Sequence, residues 1–174
     1  FSGHRLLRTV NDVLEMANLE AGRVQLDNSE INLNRLIANL ESKHAQAVAD
    51  KSLTLDFRAA LNALRIMGDH NVIVRVLNNI MLNAINFTDT GGVCVATVER
   101  GNGELEISMT DTGIGMNQDE VVAIFEPFQQ ADNSLARKHE GTGLGVSITK
   151  ALLQLHGGTL EIKSEPGVGT TAPI

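Results

Sequence analysis

The chain has 174 residues, 43% of them hydrophobic, and a formal net charge of -7. That is enough apolar material for one core, and the acidic balance argues against a nucleic-acid-binding surface. The single cysteine, Cys94, excludes an intrachain disulfide framework and a CxxC metal site, and no apolar run is long enough to span a bilayer.

With no Trp or Tyr and five Phe, the core must be aliphatic. Cys94 lies in the apolar run VCVATV, where a buried, inert thiol is expected. From His4 to Ala21, Leu6, Val10, Val13 and Ala17 recur at helical spacing, with Leu7 and Leu14 beside them and Gly22 as the stop. This stripe suits a coiled-coil or bundle seam and an ordinary amphipathic helix equally well.

RVQLD then reads as a short strand, and a helix is predicted from Asn32 to Asp50 with Leu33, Leu36, Ile37 and Leu40 on one face. LTLDF alternates as a strand does, and a long helix is predicted from His70 to Phe87. GVCVATVER and ELEISMTD, separated by GNG, read as an antiparallel hairpin. A short helix from Gln118 to Phe125 leads into an aperiodic polar stretch, Gln129 to Glu140. A helix from Val146 to Leu155, stopped by Gly157 and Gly158, precedes two strands, TLEIKS and GTTAPI. The order implies an α+β sandwich: one mixed sheet with helices on one face.

Three stretches carry candidate chemistry. TDTGIGMN ends a strand on Asp111 and follows it with Gly113 and Gly115, a backbone suited to close approach. GTGLG, from Gly141 to Gly145, opens a helix, where free N–H groups attract phosphate oxygens. It is neither a Walker loop nor a Rossmann fingerprint, because no Lys-Ser/Thr follows and no strand feeds it. RVLNNIMLNAINFT puts Asn79 and Asn83 four apart on one helix face amid apolar neighbours, where an amide carbonyl can bind Mg2+. Taken singly, satisfied asparagines and a flexible loop explain these stretches as well.

In this order and spacing, RVLNNIMLNAINFT, DTGIG, FEPFQQ and GTGLG resemble the N, G1, F and G2 boxes of the sensor histidine kinase family, and ELEISMTDTGIGM and IFEPFQQAD look like its hybrid type. NLEAGRVQLDNSEINLNRL is similar to that family's junction between dimerisation helix and catalytic domain, so the resemblance covers nearly the whole chain. It implies a two-layer Bergerat ATP-binding fold over residues 23–174, with a mixed, mainly antiparallel sheet. Residues 1–22 would be the second helix of the dimerisation hairpin, and the chain a cytoplasmic piece of a longer, homodimeric protein.

The resemblance also assigns roles. Asp111 would accept from the adenine amino group, with Gly113 and Gly115 letting the backbone pass the base. Asn83 would coordinate Mg2+ between the ATP phosphates, with Asn79 nearby. Gly141, Thr142, Gly143, Leu144 and Gly145 would lie against the phosphates. Phe125 and Phe128 would anchor a mobile lid from Gln129 to Glu140, from which Arg137 and Lys138 would reach the phosphates. Core packing for the phenylalanines and a solvated pair for the two cations are the plain alternatives.

Gyrase, the heat-shock chaperones and the MutL repair proteins share the nucleotide fold but place a glutamate one turn before the magnesium asparagine. Here that position is Asn79, and a neutral amide cannot take a proton from water. Transfer to an imidazole therefore fits better than hydrolysis. His4, His44, His70, His139 and His156 all lack the acceptor's sequence context. The expected partners are a dimerisation helix carrying the acceptor histidine, absent from this chain, and a response-regulator receiver domain. No nucleic acid and no membrane contact are expected. The isolated chain should bind Mg-ATP without phosphorylating itself. A non-catalytic nucleotide-sensing or docking domain is the alternative. Asn86 for the usual Lys, Glu140 for the first glycine of GGTGLG and Ala172 for Phe depart from the family pattern, the first casting doubt on the transfer rate.

Overall fold

The computed structural model describes residues 2–58, 64–100, 103–129 and 142–174. Its elements run α1 (Ser2–Glu20), β1 (Asn28–Asn32), α2 (Leu33–Asp50), β2 (Thr54–Arg58), β3 (Arg65–Asp69), α3 (His70–Phe87), β4 (Gly92–Glu99), β5 (Leu105–Asp111), α4 (Gln118–Ala123), α5 (Gly145–Leu155), β6 (Lys163–Glu165) and β7 (Gly169–Pro173).

A five-stranded sheet has the order β2-β4-β5-β7-β6. Only β2 and β4 pair in parallel; the other three pairings are antiparallel. Its inner face is set by the period of two. Val93 lies opposite Asp111, Val95 opposite Met109, Thr97 opposite Ile107, and Ala172 opposite Met109 on the other side. All but Asp111 are buried, in one aliphatic core with Leu36, Leu40, Leu77, Met81, Ile148 and Leu152 of α2, α3 and α5. The expected sandwich, mixed sheet and one-sided helices are therefore observed.

Local chemistry explains the helix boundaries. Asn32 caps α2, its side chain accepting from the Arg35 amide at 3.0 Å. Asn117 and Glu120 form a reciprocal capping box on α4. Asp69 caps α3, its Oδ1 accepting from the amides of Asn71 and Val72, while Oδ2 accepts from Asp27 N–H. Those amides, Asp27 first, hold the Asp69 carboxyl below the usual range. At the other end of α3, Lys51 Nζ donates to the carbonyls of Ile85, Asn86 and Thr88 at 2.8, 3.0 and 3.2 Å. A cation on a helix C-terminus also opposes the helix dipole favourably.

Three local expectations change, and one strand, β3, was not anticipated. RVQLD forms no strand; β1 begins at Asn28 and pairs antiparallel with β3 in a separate two-stranded sheet. The Asp27 amide is taken by the Asp69 side chain, which ends the ladder there. Strand β3, RIMGD, is too short and glycine-broken to show a period. TLEIKS is a strand only from Lys163, although the Glu161 amide still reaches the Pro173 carbonyl at 3.0 Å. Cys94 is half-buried on the outer sheet face, its Sγ 4.0 Å from Asp56 Oδ2.

Helix α1 lies against the folded body. Met16 and Leu19 pack on the core, while Leu6, Leu7, Val10, Val13 and Leu14 face outward. Arg75 of α3 pairs with Glu15 and Asp12, the latter at 3.4 Å. Burial comes first among the causes that raise the Glu15 carboxyl above its ordinary value, against the lowering effect of Arg75.

Candidate functional site

Asp111 ends β5 on the inner face, at the rim of the core. Its Oδ1 accepts from the amides of Gly113 at 2.9 Å and Thr170 at 3.2 Å. Those two bonds fix the carboxylate plane, and Oδ2 has no hydrogen-bond partner among the described residues. Burial pushes the carboxyl above its ordinary value despite both amides. A half-desolvated carboxylate with one committed and one available oxygen suits recognition of an amino group on a planar base.

The loop after Asp111 is pinned from two sides. Ile114 N–H donates to the Phe87 carbonyl at the end of α3, and Ile114 O accepts from Gly167 N–H at 2.7 Å. A Cβ on Gly113 would lie 2.4 Å from Phe87 O. Gly115 has φ +64°, and a Cβ there would lie 1.9 Å from Glu165 O. Both glycines are therefore required by close backbone approach, as the sequence implied.

Helix α3 connects this end to the second glycine loop. Asn79 Nδ2 donates to Thr149 Oγ1 at 3.3 Å and to Gly145 O at 3.5 Å, at the start of α5. Phe87 lies eight residues further on, about 12 Å along the axis. Asn83 lies between them, half-buried, and its amide has no hydrogen-bond partner among the described residues. An amide oxygen so placed fits a hard cation that completes its shell with phosphates and water. No cluster of His, Cys, Asp or Glu suited to a metal occurs among the described residues.

The N-cap residue of α5, Leu144, makes no side-chain cap bond, so among the described residues the first amides of this 11-residue helix have no side-chain cap. Thr142 Oγ1 donates to Asp12 Oδ2 at 3.1 Å and accepts from Leu144 N–H at 3.3 Å. Gly143 has φ +70°; its carbonyl accepts from Phe128 N–H, and a Cβ would meet the Phe128 and Gln129 backbone at 2.9 Å. The F-box end and the glycine loop are thus in direct backbone contact. Among the described residues outside its own helix backbone and chain neighbours, none comes within 4 Å of where a Cβ on Gly145 would be.

Two predicted site residues behave differently from expectation. The Leu144 side chain is fully buried in the core, so only its backbone faces the loop. Phe128 is 65% exposed at φ +66°, whereas Phe125 packs against the core with Lys150 Nζ 4.8 Å from its ring centre. Arg137, Lys138 and Gly141, with the lid expected from Gln129 to Glu140 past its first residue, lie outside the described residues. Two histidines have structural roles. His44 is buried with Nε2 2.8 Å from Asn78 Oδ1, and His156 Nε2 accepts from the Asp69 amide.

Sequence reasoning missed Asp12, Thr170, Ser164 and Arg75. Each matters through a contact between residues far apart in the chain, and none carries a local pattern. Arg75, Asn78 and Asn79 also line a groove of about 560 Å³ between α1, α2 and α3, with Asn11, Lys43 and Asn71.

Residues 68–174 match the family described as histidine kinase-, DNA gyrase B-, and HSP90-like ATPase. Over 173 residues the chain is 36% identical to an uncharacterized sensor-like histidine kinase of Rhizobium meliloti, covering 99% of this chain and 33% of that one. It is 34% identical over 177 residues to the circadian input-output histidine kinase CikA of Synechococcus elongatus, covering 99% of this chain and 23% of that one. Among solved structures, full-length ShkA in complex with AMPPNP matches with TM-score 0.87 and 29% identity, over 99% of this chain and 35% of that one. The chain thus spans between 23% and 35% of these proteins' length. It belongs to the histidine kinase-, DNA gyrase B-, and HSP90-like ATPase family, and these relatives are histidine kinases.

Proposed function

We propose that this chain is the Mg-ATP-binding catalytic part of a sensor histidine kinase, residues 23–174, with residues 1–22 contributing the end of a dimerisation helix. The observation that carries this is Asp111: one oxygen held by the Gly113 and Thr170 amides, the other available on a glycine-lined surface. Asp111 takes the adenine amino group. Guanine offers an oxygen at the equivalent edge and is repelled. Asn83 holds Mg2+, which neutralises phosphate charge when bound. Gly143, Gly145 and the backbone at Thr142 and Leu144 lie against the phosphates, completed by Gly141, Arg137 and Lys138.

Asn79 carries no basic group, so water is not activated there and the nucleotide is kept for transfer. The acceptor is a histidine imidazole on the protein's own dimerisation helix, outside this chain. The phosphoryl group then passes to an aspartate of a response regulator, and the full-length protein works as a homodimer. The groove beside Asn79 supports an approach of the acceptor from the α1 side.

The test adds a separate dimerisation domain carrying the acceptor histidine and supplies γ-labelled ATP. Label on that histidine, lost in Asp111→Asn and Asn83→Leu, supports the reading. ATP binding without transfer to any such domain supports a docking module instead, and steady phosphate release from the chain alone supports an ATPase.

A further inference from the structure

Asp111, Thr170 and Ser164 form a row across three adjacent strands. Asp111 lies directly opposite Thr170, and Thr170 directly opposite Ser164, so the three side chains share one face of the sheet. Ser164 Oγ has three partners: Met116 N–H at 2.8 Å, Gly169 O at 3.0 Å and Thr170 Oγ1 at 2.8 Å.

A count of protons fixes the direction of every bond. The Met116 amide can only donate. The Gly169 carbonyl can only accept, so it takes the one proton Ser164 has. The remaining bond, between the two hydroxyls, must then run from Thr170 to Ser164. The Thr170 hydroxyl proton is used up, and only its lone pairs remain for anything beside Asp111. The backbone around this row has no slack. A Cβ on Gly169 would lie 2.0 Å from Asp111 O, and Gly169 has φ +130°.

We propose that Ser164 is a positioning residue for base selectivity. By holding the Thr170 proton it makes Thr170 Oγ1 an acceptor beside Asp111, so this row favours a 6-amino purine over a 6-oxo purine. The proposal rests on the reading of Asp111 as the base-recognising group. Remove the Ser164 hydroxyl and the Thr170 proton is released. It can then turn toward the base and donate to a 6-oxo group, which weakens discrimination while Asp111 stays in place.

The test measures dissociation constants for adenosine diphosphate and inosine diphosphate, which differ at the purine 6-position, amino against oxo, and at N1, which is an acceptor in adenine and carries a proton in the 6-oxo base. The proteins are the intact chain, Ser164→Ala, Ser164→Thr, Thr170→Val and the Ser164→Ala/Thr170→Val double variant. The intact chain prefers the adenine ligand. Ser164→Ala lowers that preference roughly tenfold, the scale of one hydrogen bond reversed at a half-buried site. Ser164→Thr keeps a hydroxyl and restores it. The double variant is no less selective than Thr170→Val alone, because Ser164 acts through Thr170.

An unchanged preference in Ser164→Ala overturns the proposal and leaves the nucleotide reading standing. So does an equal loss for both ligands that Ser164→Thr does not restore, since that is a merely structural effect. No binding of either ligand to the folded intact chain overturns the nucleotide reading as well. If Ser164→Ala does not fold, an unchanged preference in Thr170→Val overturns the proposal in its place.

Discussion

Replacing Asp111 by Asn should separate binding from stability. In Asp111→Asn the amide oxygen can still accept from Gly113 and Thr170, so the loop geometry is retained. The group that replaces Oδ2 is an NH2, a donor facing the donor of an adenine amino group. The lost charge-assisted bond is worth about 1.5–3 kcal/mol, and the opposed donors add to that. Together these predict ADP binding weaker by about 30-fold to 1,000-fold.

Stability should move the other way. Burial raises the Asp111 carboxyl above its unfolded value, so folding disfavours its ionised form. A raised carboxyl contributes stability that is present below the unfolded pKa and is lost as pH rises through the folded one. At neutral pH the ionised Asp111 is therefore a net cost, and Asp111→Asn should raise Tm in the unliganded protein. Calorimetric titration with ADP and a thermal melt at pH 7 read both effects. A lowered Tm, or ADP affinity within threefold of the parent, would refute the reasoning.

Other perturbations follow from the same contacts. ADP affinity of the parent chain should fall with pH as Asp111 protonates, beginning above the ordinary carboxylate range, and Asp111→Asn should lose that dependence; titrations between pH 7 and about 4.5 check it. Gly115→Ala should cost at least about 2 kcal/mol, because φ +64° and the Glu165 carbonyl 1.9 Å away leave no room; chemical denaturation reads the loss, and a cost under about 0.5 kcal/mol contradicts it. Lys51→Met should cost about 1–2 kcal/mol through the uncapped carbonyls of α3, and an unchanged melt contradicts that capping role. Arg75→Ala should release α1 from α3, leaving Asp12 and Glu15 without their cation; faster proteolysis within Ser2–Glu20 is expected, with a loss of about 1–2 kcal/mol.

The sequence carried the parts whose information is local. Helix α3 matches its predicted span at both ends, because an apolar period and a capping aspartate lie within one segment. The β4–β5 hairpin and the glycines at 113, 115 and 143 were legible for the same reason. Strand β3 was not, because five residues with an internal glycine show no period and take their identity from β1. The RVQLD strand failed on a single amide diverted to a side chain 42 residues away. Lys51 on the end of α3 and the Ser164 row could not be read either, since each depends on chain segments meeting only in the fold. At Leu144, which the resemblance assigned to the phosphate loop, the side chain serves the core.

The most direct test of the central claim is calorimetric titration of the chain with a non-hydrolysable ATP analogue, with and without Mg2+, beside Asn83→Leu. Micromolar to sub-millimolar binding that Mg2+ strengthens is expected, with the Mg2+ effect abolished in Asn83→Leu. No detectable binding to a folded sample, or binding whose Mg2+ dependence survives the loss of Asn83, would contradict that claim.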